Sequence, residues 1–231
     1  MKPITIGFSI HRSEVIDITA DLMHHRDVIF LEEPPANGLQ EMLQGALSIK
    51  DYLLHTEIEY PEFSRRMCLL LRDLYQKGKK IIQVEPFLEI LLGIHEFFAD
   101  GHGPAELNKN SVQYPVYLAE RNATKALLEY YQTAMTGSFE VTIGAVKQFA
   151  RMDAARFRLR DSLRAQELNL NVGKYSSSYI EAGVIHYSLW QHLRRKMSTS
   201  IHLKLRFLAD KANGFASRRK GRYGPGDKLT L

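Results

Sequence analysis

Apolar and polar residues alternate cleanly along the first segment of the chain. Ile4, Ile6, Phe8 and Ile10 share one side of this pattern, which predicts a strand that runs up to His11. A continuous apolar run follows at 28–33 and ends at a pair of prolines, which predicts a strand buried on both faces, as parallel strands are. Similar runs predict three more strands, at 79–85, 175–182 and 201–208.

Helical periodicity fills the segments between these strands. Strand and helix alternate at both ends of the chain, which predicts an α/β fold with an open, mostly parallel sheet flanked by helices. The block from 104 to 170 is nearly all helical in pattern, so we expect a helical insertion or cap within a single α/β domain spanning 1–231. The segment 214–231 lacks apolar periodicity and is expected to be a basic C-terminal extension.

Composition excludes several classes of protein. Hydrophobic residues make up 45% and charged residues 25%, which is ordinary for a globular chain. The longest apolar run, Met67 to Leu71, is far short of the ~20 residues of a membrane-spanning helix, and the start lacks a secretory cleavage pattern. Cys68 is the only cysteine, which excludes an intrachain disulfide and favours a buried thiol in a cytoplasmic protein.

The two parts of the chain carry opposite charge. Residues 1–146 hold 13 basic and 20 acidic residues, a net charge of −7, whereas residues 147–231 hold 18 and 6, a net charge of +12. Such asymmetry occurs in proteins that bind nucleic acid or anionic surfaces. No aromatic-interleaved basic motif accompanies it here, so we favour complementary faces of one fold or of a homodimer over nucleic-acid binding.

Ionisable residues recur where the predicted strands end. His11, Glu32, Glu85 and Glu181 follow or close four different strands, and His186 comes shortly after the fourth. Ligands of open α/β sheets bind outside the carboxyl ends of the strands, so these side chains are expected to converge on one crevice. Each of them taken singly could instead be a solvated strand end or a helix-entry residue. Because side chains alternate along a strand, only one of the adjacent Glu32 and Glu33 is expected to face the crevice.

Four motifs, in order, resemble those of the TraB/Tiki superfamily, which includes erythromycin esterase-like and haem-uptake ChaN-like proteins. The first is Gly7-Phe8-Ser9-Ile10-His11, one residue longer than the family's Gly-x-x-His. The second is the apolar strand Ile29-Phe30-Leu31-Glu32, and the third is the helical Arg160-Asp161-Ser162-Leu163-Arg164-Ala165. The fourth is Glu181-Ala182-Gly183-Val184-Ile185-His186, in which Glu181 replaces a residue that is usually small.

The resemblance implies a hydrolase that activates water to cleave an amide or ester bond in a small molecule or peptide. It implies His11, Glu32 and His186 as ligands of a divalent metal, with Arg160 supporting a carboxylate or a developing anion. Glu85 and Glu181 are further catalytic candidates because of their positions at the strand ends. Imidazole and carboxylate ligands suit Mn, Co, Zn or Fe, and an open coordination position lowers the pKa of bound water. Without a metal, a His–Glu pair serves as a general base.

Two other functions remain open at this point. A non-catalytic relative would bind haem or another planar small molecule, with Tyr179, Tyr187 and His186 as contacts. A basic C-terminal half would bind an anionic surface or nucleic acid through 194–196 and 218–220. The long helices between 104 and 170 would either cap the site or form a homodimer interface.

Overall fold

The sheet confirms the α/β class predicted from the sequence. The structure, a computed structural model, describes residues 2–54, 60–197 and 201–209. Five strands form one open sheet in the order β3-β2-β4-β1-β5, and every neighbouring pair is parallel. The strands are β1 (Lys2–Ser9), β2 (Val28–Leu31), β3 (Lys80–Gln83), β4 (Ser178–Gly183) and β5 (Ile201–Phe207).

Helices connect these strands, as parallel pairing requires. They are α1 (Ile16–His24), α2 (Leu39–Gln44), α3 (Ile49–Leu54), α4 (Pro61–Gln76), α5 (Pro86–Ala99), α6 (Gln113–Thr136), α7 (Phe139–Val172) and α8 (Tyr187–Lys196). Short 3₁₀ turns precede α1 and α8, at Ser13–Val15 and Val184–His186. Within the described part of the chain, no helix is long and apolar enough to cross a membrane.

Strand β2 shows why the central strands consist of unbroken apolar residues. Ile29 and Leu31 join a core cluster with α1, α2 and α4, whereas Val28 and Phe30 alternate to the opposite side. All four side chains are fully buried. The strand is therefore covered on both faces, as its continuous apolar run predicted.

Strand boundaries differ by one to three residues from the sequence-based expectation, since β2 ends at Leu31, β3 spans Lys80–Gln83 and β5 ends at Phe207. Strand β1 ends at Ser9, so His11 lies two residues beyond it, and strand β4 begins at Ser178 instead of 175. Strand β4 also runs on to Gly183 instead of ending at 182, so Glu181 lies inside it, buried and paired in register with Gly7. The amphipathic pattern located these strands but could not mark where backbone pairing stops.

The chain divides into two compact units. Met1–Val84 and Gln166–Leu231 form the sheet unit, and Glu85–Ala165 form the helical unit. The helical insertion expected over 104–170 falls largely in the second unit, which also takes in α5. The basic extension expected at 214–231 lies outside the described residues.

Close packing leaves no room for a side chain at Gly7 on β1. An ideal Cβ at this position would lie 2.5 Å from Cζ of Tyr179 and closer still to the hydroxyl oxygen. Tyr179 projects from the neighbouring strand β4 and is fully buried. The ring therefore lies directly over the β1 backbone, and this contact fixes β1 against β4 below the strand ends.

Candidate functional site

The core of the candidate site is a short contact between Glu32 and His186 in the sheet unit. Glu32 directly follows β2, and His186 ends the 3₁₀ turn after β4. Glu32 Oε1 lies 2.6 Å from His186 Nε2, and Glu32 Oε2 accepts a hydrogen bond of 2.6 Å from the backbone N–H of Gly183. Both carboxylate oxygens are thus engaged with groups that follow the neighbouring strand, which fixes the side chain in place.

Burial strengthens this contact. His186 is 1% exposed and the Glu32 side chain 10% exposed. An ionised carboxylate in such surroundings needs a partner that carries or shares a proton, since burial of an unpaired charge is costly. The contact with His186 Nε2 at 2.6 Å provides such a partner.

His11 reaches the same place from β1. An ideal Cβ on Gly183 would lie 3.6 Å from His186 Cδ2, 3.7 Å from His11 Cε1 and 3.8 Å from Glu32 Oε2. One point beside Gly183 is therefore surrounded by all three side chains that the TraB/Tiki resemblance singled out. The structure brings His11, Glu32 and His186 together, and we call this set the strand-end cluster.

The backbone at His11 is strained. Its φ of 51° lies in the left-handed region, which residues other than glycine rarely adopt. Among the described residues, His11 is the one non-glycine residue with a positive φ. The hydroxyl of Ser9 accepts a hydrogen bond of 3.0 Å from the His11 N–H and holds the turn. Strain of this kind is concentrated at functional sites. This turn directs His11 to the strand-end cluster.

Aromatic rings lie beside His11. The ring centroids of Tyr60 and Phe63 are 5.7 Å and 5.1 Å from that of His11. Phe63 belongs to α4 and is buried, whereas Tyr60 precedes the helix and is exposed. Neither residue stands out in the sequence, because the spacing of an amphipathic helix does not indicate which strand end the helix covers.

Glu33 points away from the strand-end cluster, as the alternation of strand side chains predicted. Its Oε2 accepts hydrogen bonds from Gln83 Nε2 at 3.0 Å and from the Tyr52 hydroxyl at 3.5 Å. Burial raises the pKa of Glu33 above its usual range, although the two hydrogen bonds oppose this shift. Glu33, Gln83 and Tyr52 form a second polar group, which supports the β2–β3 edge.

Glu181 has a different position from the one expected. It lies within β4 on the same side as Tyr179, and its negative charge helps to raise the pKa of both Tyr179 and Cys68, although burial is the larger cause for each. Tyr179, expected as a contact to a planar ligand, is fully buried with its ring packed over Gly7. Tyr187 packs on Phe8 and Trp190 at the start of α8.

Glu85 and Arg160 belong to the helical unit, where they form a buried ion pair. Arg160 Nε lies 3.1 Å from Glu85 Oε1, and Arg164 Nε lies 4.0 Å from Glu85 Oε2. Glu85, Arg164 and Asp161 are fully buried. The Arg-Asp motif of the sequence thus serves the interior of this unit, and two arginines one helical turn apart face one carboxylate.

The chemistry of the strand-end cluster suits proton transfer. Two imidazoles and a carboxylate surround one point, and Glu32 holds the ring of His186 by direct contact. The donor atoms are also of the types that bind Mn, Co, Zn or Fe. Within the described ranges, however, no three His, Cys, Asp or Glu side chains are placed as a group that could hold a metal ion. Direct Glu32–His186 contact fits a proton-sharing pair more closely than two ligands separated by an ion.

Basic residues of the C-terminal half are in part visible in the structure. Arg194, Arg195 and Lys196 are exposed in the last turn of α8, and the guanidinium of Arg194 lies 5.3 Å from the ring centroid of Trp190. The second basic group, 218–220, lies outside the described residues.

Comparison with known proteins gives one distant relative. The chain is 26% identical over 162 residues to an uncharacterized protein of Archaeoglobus fulgidus, and the aligned part is 70% of this chain and 53% of that protein. The chain therefore spans about half the length of the relative it matches. No family model matches the chain, and no solved structure matches it. The TraB/Tiki resemblance stays a prediction that rests on the four motifs.

Proposed function

We propose that the protein is a hydrolase in which the strand-end cluster activates water to cleave an amide or ester bond. The observation that carries the proposal is Glu32, which bridges His186 and the Gly183 backbone while His11 lies at the same point. Three consecutive strands of the sheet, β2, β4 and β1, deliver these groups to one edge. This is the edge at which open α/β sheets bind ligands.

The geometry supports proton transfer by the strand-end cluster. Glu32 orients the His186 ring and stabilises its protonated form, so the ring can take up the proton that an attacking water loses. His11, from the neighbouring strand, supplies a second titratable imidazole that can return a proton to the leaving group. A positioned acid–base pair of this kind contributes about 10²–10⁴-fold to a reaction rate.

The substrate we propose is a small molecule or short peptide with an apolar group next to the scissile bond. Tyr60 and Phe63 offer ring surface beside His11. The buried thiol of Cys68 fits a reducing cytoplasm, which is where we propose that the protein acts.

A metal-assisted version of the same chemistry is the second candidate. It rests on the ligand chemistry of His11, Glu32 and His186, whose side chains all come within 3.8 Å of one point beside Gly183. The residues that would hold Mn, Co, Zn or Fe are His11, Glu32 and His186, and a bound ion would supply a more acidic water.

The test combines a hydrolysis screen with metal analysis. The purified wild-type protein is assayed on chromogenic ester and peptide-amide substrates, both without added metal and after incubation with Mn, Co, Zn or Fe. We expect Glu32→Gln and His186→Ala to lower any detected rate at least ~100-fold. The matched control is His102→Ala, because His102 also pairs with a carboxylate, Glu106, at 3.0 Å but in an exposed position in the helical unit. This variant should keep the wild-type rate.

Metal content separates the two candidates. Near-stoichiometric metal that is lost in both His11→Ala and His186→Ala would favour the metal-assisted reaction. Hydrolysis with no dependence on added ions or chelator would favour the Glu32–His186 pair alone. A wild-type protein that neither hydrolyses these substrates nor binds any ion would overturn the proposal, as would equal activity in all variants.

A further inference from the structure

Helices α6 and α7 form a long antiparallel hairpin in the helical unit. Thr142 Oγ1 donates a hydrogen bond to the Thr133 carbonyl, the rings of Tyr130 and Phe149 stack at 6.5 Å, and Arg156 pairs with Glu120. These contacts pair residues of steadily increasing number on α7 with residues of decreasing number on α6. They mark the seam between the two helices from its tip at Gly137-Ser138 inward.

The tip of this hairpin exposes a row of large apolar side chains. On each helix they recur at spacings of three and four residues, which places them along one face of the helix. We call this set the tip face. It consists of Leu128, Tyr131 and Met135 on α6 and Phe139, Ile143 and Val146 on α7.

Both rows emerge on the same side of the hairpin. On each helix, a tip-face residue comes one position after a seam residue: Ile143 follows Thr142, and Tyr131 follows Tyr130. A rotation of about 100° per residue carries the rows away from the seam. Because the two helices are antiparallel, equal rotations bring the rows to one common face.

Helix α5 covers the base of this face but not the tip. A groove of about 550 Å³ lies between α5 and α6, and Leu91 and Phe98 of α5 line it together with Tyr117 and Leu128 of α6. The α6 row that packs beside α5 thus continues to Tyr131 and Met135, which no other helix of this unit shields. The tip face is therefore a continuation of the apolar surface that α5 covers at the base of the hairpin, and no helix of this unit covers the continuation.

The exposed area is large enough for a stable interface. The six residues of the tip face are between 37% and 86% exposed. Large side chains offer about 150–250 Å² each, so the six expose roughly 700 Å². That exceeds the ~300–600 Å² of the largest apolar patch on a typical monomer, and it approaches the ~800 Å² that each partner buries in a standard interface.

The charges beside the tip face favour a second copy of this chain. Glu140 and Lys147 lie seven residues apart on α7, on the edge of the face that is opposite the seam. A two-fold axis that crosses α7 beside Ile143 would place Glu140 opposite the partner's Lys147, and Lys147 opposite the partner's Glu140. This self-complementary order is what a symmetric interface requires.

We propose that the protein is a homodimer in which the tip faces of two hairpins pack against each other, with the two α7 helices antiparallel. The interface buries the six apolar side chains of each copy. Two equivalent Glu140–Lys147 pairs set the direction of packing. The interface lies wholly within the helical unit of each copy.

The test is the molar mass of the full chain in solution, measured by light scattering and by sedimentation equilibrium at micromolar concentration. Wild type is expected at twice the 26.5 kDa of one chain. Phe139→Glu and Met135→Glu should give monomers, and both should stay folded by circular dichroism because these positions are exposed. The matched control is Val141→Glu, an exposed apolar position on the same helix that faces away from the tip face, and it should remain a dimer.

Charge reversal tests the antiparallel arrangement. Glu140→Lys and Lys147→Glu should each raise the dimer Kd about tenfold or more, because each places like charges opposite one another. The double variant Glu140→Lys/Lys147→Glu should recover the wild-type Kd. A monomeric wild type, a dimer that survives Phe139→Glu, or a loss of dimer in Val141→Glu to the same degree would overturn the proposal. A double variant weaker than either single variant would overturn the antiparallel packing.

Discussion

Replacing Gly7 by alanine should weaken the junction between β1 and β4 that positions the strand-end cluster. The new Cβ would lie 2.5 Å from Cζ of Tyr179 and 3.0 Å from Cε2, and nearest of all to the hydroxyl oxygen. Tyr179 is fully buried and cannot swing into solvent. The strand or the ring must therefore move.

The cost follows from these contacts. Overpacking a core typically costs about 1–3 kcal/mol, and alanine recovers about 0.5–1 kcal/mol of the entropy that glycine loses in a strand. A closest approach well inside van der Waals contact places Gly7→Ala at the upper end, so we expect a net loss of about 2 kcal/mol. For a chain of this size that corresponds to a fall in Tm of about 4–8 °C.

A double-mutant cycle tests the cause. Tyr179→Ala alone should cost about 3–5 kcal/mol for the lost ring, and adding Gly7→Ala to it should cost nothing more, which gives a coupling of about 2 kcal/mol. Urea unfolding provides each free energy. Gly93→Ala is the control, because Gly93 lies within α5 with no atom within 4 Å of an added Cβ, and it should stabilise the protein slightly. Additive effects of the two changes, or a Gly7→Ala protein as stable as wild type, would refute the packing argument.

Three other predictions follow from buried ionisable groups. Burial raises the pKa of the Cys68 thiol to about 12, so alkylation of this thiol near pH 8 should be roughly 1000-fold slower in the native protein than in urea. Comparable alkylation rates in the two states would contradict the burial of Cys68. The raised pKa of Glu33 means that the folded state binds this proton more tightly than the unfolded state, so the free energy of unfolding should fall as pH rises above about 4.5. In Glu33→Gln, the urea midpoint should fall less over the same pH range. Arg164→Met should lower the free energy of unfolding in urea by about 3 kcal/mol, because it removes one of the cations that face the buried Glu85. The control Arg158→Met, at an exposed position of the same helix, should change it little, and equal effects of the two variants would contradict the role of the ion pair.

Much of the sheet could be predicted from the sequence, because parallel strands buried on both faces are short apolar runs with sharp ends. The run that ends at Glu32 located β2, and the alternation of side chains correctly separated Glu32 from Glu33. The approach of His11, Glu32 and His186 followed from the rule that the carboxyl ends of parallel strands share one edge. These are local patterns combined with one rule of topology.

Other features depend on contacts between distant segments, and the sequence carries no local sign of them. Gly7 looked like part of a histidine motif, but its lack of a side chain is required by Tyr179, more than 170 positions later. Glu181 was expected at the carboxyl end of β4, but strand pairing continues past it to Gly183. Tyr60 and Phe63 meet His11 only because of how α4 packs, and amphipathic spacing does not specify which strand a helix covers.

The strand order has a consequence for how the protein is made. Strand β1 lies between β4 and β5, so both of its hydrogen-bonding partners are synthesised after every other strand of the described sheet. At about 5–20 residues per second, β1 waits roughly 10–30 s before β4 is synthesised. β1 and β2 are not neighbours in the finished sheet, because β4 lies between them, so each lacks its native pairing with β4 during that time. The nascent chain therefore holds two apolar strands with open edges, and we expect chaperones to bind this segment until residues 178–207 have emerged.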